Sequence, residues 1–134
     1  MKYDLLIELE DPDTGRRVML EDDGRTGYAY LYVGDKIQSD VWLYNRAGVP
    51  DDPSWEDREA LPFPNKRQFM TAETLVIGPD TVIEARWDES GVDLYINARL
   101  TARLELDACP GWSRLAAVDS LVARRLPRTA LRSV

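Results

Sequence analysis

The side chains able to do acid–base or metal chemistry are almost all carboxylates. The 134-residue chain holds 24 Asp and Glu, no histidine and one cysteine, Cys109. Acids stand together at Asp22-Asp23, Asp51-Asp52, Glu56-Asp57-Arg58-Glu59 and Asp88-Glu89. Paired carboxylates are what a hydrolytic dyad or a divalent-cation site requires, because each shifts the other's proton affinity. All of these groups fall in turn-like or loop-like stretches, where adjacent acids cap backbone amides and stay solvated. Without histidine there is no imidazole base, no Ser-His-Asp or Cys-His pair and no histidine-ligated zinc, and one cysteine forms neither an internal disulfide nor a metal cluster. Asp11-Pro12-Asp13-Thr14-Gly15 has the alternating acids of a calcium loop but lacks its remaining ligands and its terminal glutamate. No G-x-G-x-x-G or G-x-x-x-x-G-K-[ST] phosphate cradle occurs, and Gly24-Arg25-Thr26-Gly27 reads as a turn. Cys109, beside Pro110 and without a histidine partner, reads as a half-buried small hydrophobe. The expectation is a protein without catalytic residues, metal or cofactor.

Aromatic residues are the other chemical resource. Tyr28, Tyr30, Tyr32, Trp42, Tyr44, Trp87, Tyr95 and Trp112 lie in or beside strand-like segments, and tyrosine and tryptophan serve both core packing and interface anchoring. Trp42, Trp87 and Trp112 are expected in the core. Trp55 differs: it sits in a proline-bounded loop among Asp51, Asp52, Glu56, Asp57 and Glu59, the pattern of an anchor with a charged rim. These six residues are the candidate partner-binding site.

Elements that would position these groups follow from periodicity. Leu5, Ile7 and Leu9 alternate with Leu6, Glu8 and Glu10, a strand with one buried face. The turn residues at 11–15 return the chain through Arg16-Arg17-Val18-Met19-Leu20-Glu21. Residues 27–33 and 37–45 form a hairpin, and a glycine-first two-residue loop at Gly34-Asp35 pairs Val33 with Lys36. That register groups Tyr28, Tyr30 and Tyr32 with Ile37, Val41 and Leu43. Residues 46–66 are a proline-rich loop in which Ser54 and Asp57 resemble a capping box and Pro62 stops the helical turn. Further strands are expected near 73–77, 81–88, 92–96 and 100–106. Leu115, Val118, Leu121, Val122 and Leu126 then recur at helical spacing, with Ser113 as cap and Pro127 as stop. The expected fold is a single α+β domain over 1–134, a mainly antiparallel, curved sheet of seven to eight short strands with one C-terminal helix.

Bulk charge narrows the partners. Seventeen Lys and Arg leave a net charge of -7. Residues 1–66 carry fifteen acids against eight bases, and residues 67–134 carry nine of each. An acidic chain lacks the clustered cations that grip a nucleic-acid backbone. The apolar run at Leu5-Leu6-Ile7 is too short for a signal peptide and no stretch approaches a membrane span, so a cytoplasmic location without membrane or nucleic-acid partners is expected.

Several segments together carry a resemblance: Asp22-Asp23-Gly24-Arg25, Tyr28-Ala29-Tyr30-Leu31-Tyr32, Asp40-Val41-Trp42-Leu43-Tyr44-Asn45, Pro62-Phe63-Pro64-Asn65 and Pro110-Gly111-Trp112-Ser113. In these the chain resembles small acidic bacterial proteins of the immunity type found in polymorphic toxin systems. The resemblance implies a cytoplasmic protein that binds and neutralises a toxin domain and carries no catalytic residues. An acidic surface suits a basic toxin domain, because opposite charge speeds encounter. A second expectation is a small-ligand-binding β domain with an aromatic-lined pocket.

Overall fold

Alternation of apolar and charged residues makes the first segment a strand, and the turn acids fold it back. The computed structural model describes residues 5–24, 26–45, 70–71, 75 and 77–127. In it β1 (Leu5–Glu10) turns into β2 (Arg17–Asp22). Asp11 organises that turn: its carboxylate accepts from Asp13 N at 3.1 Å and Thr14 Oγ1 at 2.6 Å, and its own N–H donates to Arg16 O at 2.8 Å. β3 (Thr26–Val33) and β4 (Lys36–Asn45) follow, and the four form one antiparallel sheet in the order β1-β2-β3-β4. Gly34 has φ 60° between paired Val33 and Lys36, as the glycine-first turn requires.

The second sheet contains β5 (Ile83–Trp87), β6 (Gly91–Ile96), β7 (Arg99–Glu105), β8 (Ala108–Ser113) and β9 (Arg124–Arg125), in that order. All neighbours are antiparallel except β8 and β9. Asn97 and Ala98, with φ 50° and 66°, make the tight turn between β6 and β7.

The two sheets share one core. Val18, Leu20, Ala29, Leu31 and Val41 of the first are buried in the same cluster as Val92, Leu94, Ile96, Ala102 and Leu104 of the second. The sheets meet along β4 and β8: Ser39 Oγ donates to Ala108 O at 2.5 Å, and a Cβ at Gly111 would come within 2.4 Å of Arg103 O and 3.3 Å of the Val41 Cβ. Only a glycine admits that approach.

The expected α+β class is corrected. The described residues are all-β, with no helix among them, and the C-terminal helix is absent. Backbone groups of that segment bond to the sheets instead. Trp42 N donates to Val122 O at 2.9 Å, Thr71 N to Leu115 O at 2.8 Å, and β9 pairs with Trp112 and Ser113. Asp119 Oδ1 accepts from Arg125 N at 2.9 Å and Ser120 Oγ from Val122 N and Ala123 N at 3.3 Å, side-chain bonds that compete with a helix. Ser113, expected as helix cap, is instead buried at the end of β8. Pro110 lies where the β7–β8 register shifts, so its missing N–H removes no paired bond. The strand expected at 73–77 falls mostly outside the described residues, and Leu75 and Ile77 belong to no strand. Among the described residues no helix is long and apolar enough to cross a membrane.

Candidate functional site

Asp51, Asp52, Trp55, Glu56, Asp57 and Glu59 all lie outside the described residues. The described aromatic and acidic side chains converge elsewhere, on the outer face of the first sheet. Side chains alternate across a strand, so register decides which share that face. Three rows cross all four strands: Leu6, Glu21, Tyr28 and Trp42; Glu8, Met19, Tyr30 and Asp40; Glu10, Arg17, Tyr32 and Ile37. Among the described residues these rows hold three tyrosines, four acids and one base.

Its register differs from the expected one. β3 and β4 slip twice, between Gly27 and Tyr28 and between Leu31 and Tyr32, so Gln38 and Leu43 have no opposite number. Tyr28, Tyr30 and Tyr32 therefore face Trp42, Asp40 and Ile37, while Val41 turns to the core. An inserted residue flips every side chain beyond it, which alternation within one strand does not reveal.

Electrostatics and packing of this face are coupled. Tyr28 is buried, Tyr30 and Tyr32 are half-buried, and Tyr28 and Tyr30 stack with centroids 6.2 Å apart. Burial first, and then neighbouring negative groups, raises the proton affinity of both phenols. For Tyr30 the acids are Glu21, Asp40 and Asp23; for Tyr28 they are Asp40 and Asp23. The hydroxyls therefore remain neutral donors under a negative potential. Arg17, the cation of the described rows, is engaged: its guanidinium lies 5.2 Å from the Tyr32 ring, 3.7 Å from Glu8 and donates to Gly34 O at 2.8 Å.

Other acids hold structure. Asp22 is buried and accepts from Tyr44 Oη at 2.5 Å and Gly24 N at 2.8 Å. Asp23 accepts from Thr26 N at 3.0 Å. Asp88 caps Ser90 N and Gly91 N, each at 2.9 Å, and pairs with Arg103. These acids accept turn and side-chain donors, and no metal-holding group of three or more ligating side chains occurs among the described residues. Cys109 is exposed, and desolvation of its sulfur with Asp40 alongside pushes the thiol up, away from nucleophilic thiolate.

The second sheet's outer face forms a different surface. Arg103 binds Asp88, Asp93 and Glu105 at 2.9, 3.0 and 2.8 Å. Beside this cluster a groove of about 370 Å³ is lined by Tyr95, Leu100, Trp112 and Leu126 with Asp93, Arg103 and Glu105. Arginines cover its rings: Arg86 stacks 4.0 Å above Tyr95 and Arg124 5.1 Å from Trp112. Of the tryptophans expected in the core, Trp42 is fully buried, whereas Trp87 and Trp112 are half-buried. The expected helix concealed this groove, since it would have put Leu126 on a helical stripe.

No family model, curated protein or solved structure matches the chain. The chemistry of the tyrosine face is therefore that of its own residues: half-buried Tyr30 and Tyr32 beside buried Tyr28 and Trp42, neutral hydroxyls and, in the described rows, excess negative charge.

Proposed function

We propose that this chain is a non-enzymatic protein-binding domain, an immunity-type inhibitor that neutralises a basic toxin domain in the cytoplasm. One observation carries the reading: the tyrosine rows on the first sheet stand among Glu8, Glu10, Glu21 and Asp40 with, among the described residues of those rows, a single arginine. Tyrosines provide rigid contact area at low entropic cost, and an acidic rim steers a basic partner and suppresses wrong ones. Trp55 with Asp51, Asp52, Glu56, Asp57 and Glu59 extends the same chemistry in sequence.

Association with a basic toxin domain, sought first in the adjacent reading frame and measured by stopped flow across a salt series, tests the reading. Glu21→Gln with Asp40→Asn should slow association about threefold or more and flatten its salt dependence. Tyr30→Ala should speed dissociation by about tenfold or more. Unchanged rates in both variants sink the proposed face. The corresponding amide changes at Asp51, Asp52, Glu56 and Asp57 test the loop separately.

A small-ligand reading draws on the groove at Tyr95 and Trp112, whose volume of about 370 Å³ falls in the range of ligand pockets. A small molecule retained in native mass spectrometry, and lost on Trp112→Ala, supports it.

A further inference from the structure

The core thins at one margin of the first sheet. Val18 and Leu20 on β2 are fully buried, but Leu9 and Ile7, directly opposite them on β1, are only half-buried, as is Leu5. β1 pairs with β2 along its whole length without a register slip and, among the described residues, with nothing on its other side. Natural edges are commonly blunted by lysine, proline or a bulge. β1 has no lysine, proline or bulge, its charges are the acids Glu8 and Glu10 alone, and it exposes Leu6 at 61%. Of the remaining outer strands, β4 donates its Trp42 N–H to Val122 O, β9 is two residues long, and β5 is shorter than β1 and carries its own Glu84–Arg86 pair at 3.2 Å.

Strand addition to such an edge requires side chains of period two from the newcomer. On the core side they must be apolar, to complete the layer of Leu5, Ile7 and Leu9. On the outer side they meet Leu6, Glu8 and Glu10, so they must be cationic. A second copy of this chain is disfavoured: the antiparallel register that sets Ile7 opposite Leu9 brings Glu8 opposite Glu8, and like charges directly opposite destabilise a pair.

We propose that β1 is the docking edge for an extended segment of the basic partner protein, a segment alternating apolar residues over Leu5, Ile7 and Leu9 with basic residues facing Glu8 and Glu10. This rests on the protein-binding reading and continues the tyrosine face across β1.

The probe is a short synthetic peptide of alternating valine and lysine, added to the full chain, with amide hydrogen exchange followed residue by residue. Exchange at the β1 amides not bonded to β2 should slow about tenfold at saturation, with β5 unaffected. An alternating valine–glutamate peptide should give no protection, and Glu8→Lys with Glu10→Lys, both exposed, should invert that preference. Protection absent from β1, equal protection of β5, or a preference unmoved by the charge swap overturns the inference. So does a toxin domain indifferent to the charge swap yet sensitive to Tyr30→Ala, a result that leaves the tyrosine-face reading standing.

Discussion

A single arginine sets the acid behaviour of the second sheet. Arg103 holds the Asp88 carboxylate well below the usual range, at about 2, and the cap to Ser90 and Gly91 adds to the effect. The unfolded carboxylate titrates near ~3.9. Because the folded value is the lower, the stabilisation is complete above pH ~4 and disappears as pH falls through ~2. Asp88→Asn should therefore be less stable at neutral pH and converge on the parent as acid is added, checked by denaturant titrations at several pH values. Asp88 is half exposed, which limits the neutral-pH difference to under about 1 kcal/mol. Ala98 makes a second residue-scale case. At φ 66° an alanine sits where glycine is favoured, so Ala98→Gly should stabilise by ~1 kcal/mol, read as a raised unfolding midpoint. The turn acids Asp22, Asp23 and Asp88 were legible from sequence because capping is local. Ala98 was not, because only the turn geometry reveals its strain.

Among the elements, strands joined by tight turns were readable because their periodicity and turn chemistry both lie within a few residues. Residues 114–127 were not, because the apolar spacing there fits a helix as well as it fits two irregular sheet contacts. Exposure separates the alternatives. Leu115 and Leu126 are 3% exposed, but Val118 and Leu121, on the same helical stripe, are 45% and 80% exposed. What decides the matter is tertiary: β4 takes the Val122 carbonyl and β8 takes residues 124–125, outweighing a weak intrinsic propensity. Leu115→Ala should cost about 2–4 kcal/mol and Leu121→Ala less than about 0.5 kcal/mol, measured by chemical denaturation. Similar costs at both positions would restore the helix. The tyrosine face shows the same limit, since its rows depend on two slips between β3 and β4 that neither strand announces alone.

For the whole molecule, charge excess in residues 1–66 pointed by sequence to the loop around Trp55, which lies outside the described residues. The described part of that excess stands on the first sheet because β1, β2 and β4 each contribute acids to its outer side, while their inner side joins the common core. Which sheet packs on which was illegible: alternation says that a face is buried, never what buries it. The shared core has a thermodynamic consequence. Neither sheet covers its own inner face, so the loss of one exposes the apolar layer of the other, and the two should unfold in one transition. Leu31→Ala in the first sheet and Leu94→Ala in the second, both fully buried, should each cost about 2–5 kcal/mol. Each should shift tryptophan fluorescence and far-ultraviolet circular dichroism by the same amount, because Trp42 reports the first sheet and Trp87 and Trp112 the second, while dichroism reports both. A Leu31→Ala variant whose dichroism splits into two steps, one at the parent midpoint, would show that the second sheet stands alone and that the common core couples nothing. Coincident shifts would instead mean that binding energy gained on the tyrosine face stabilises the groove sheet as well, since a partner that binds only the folded state raises the stability of the entire cooperative unit.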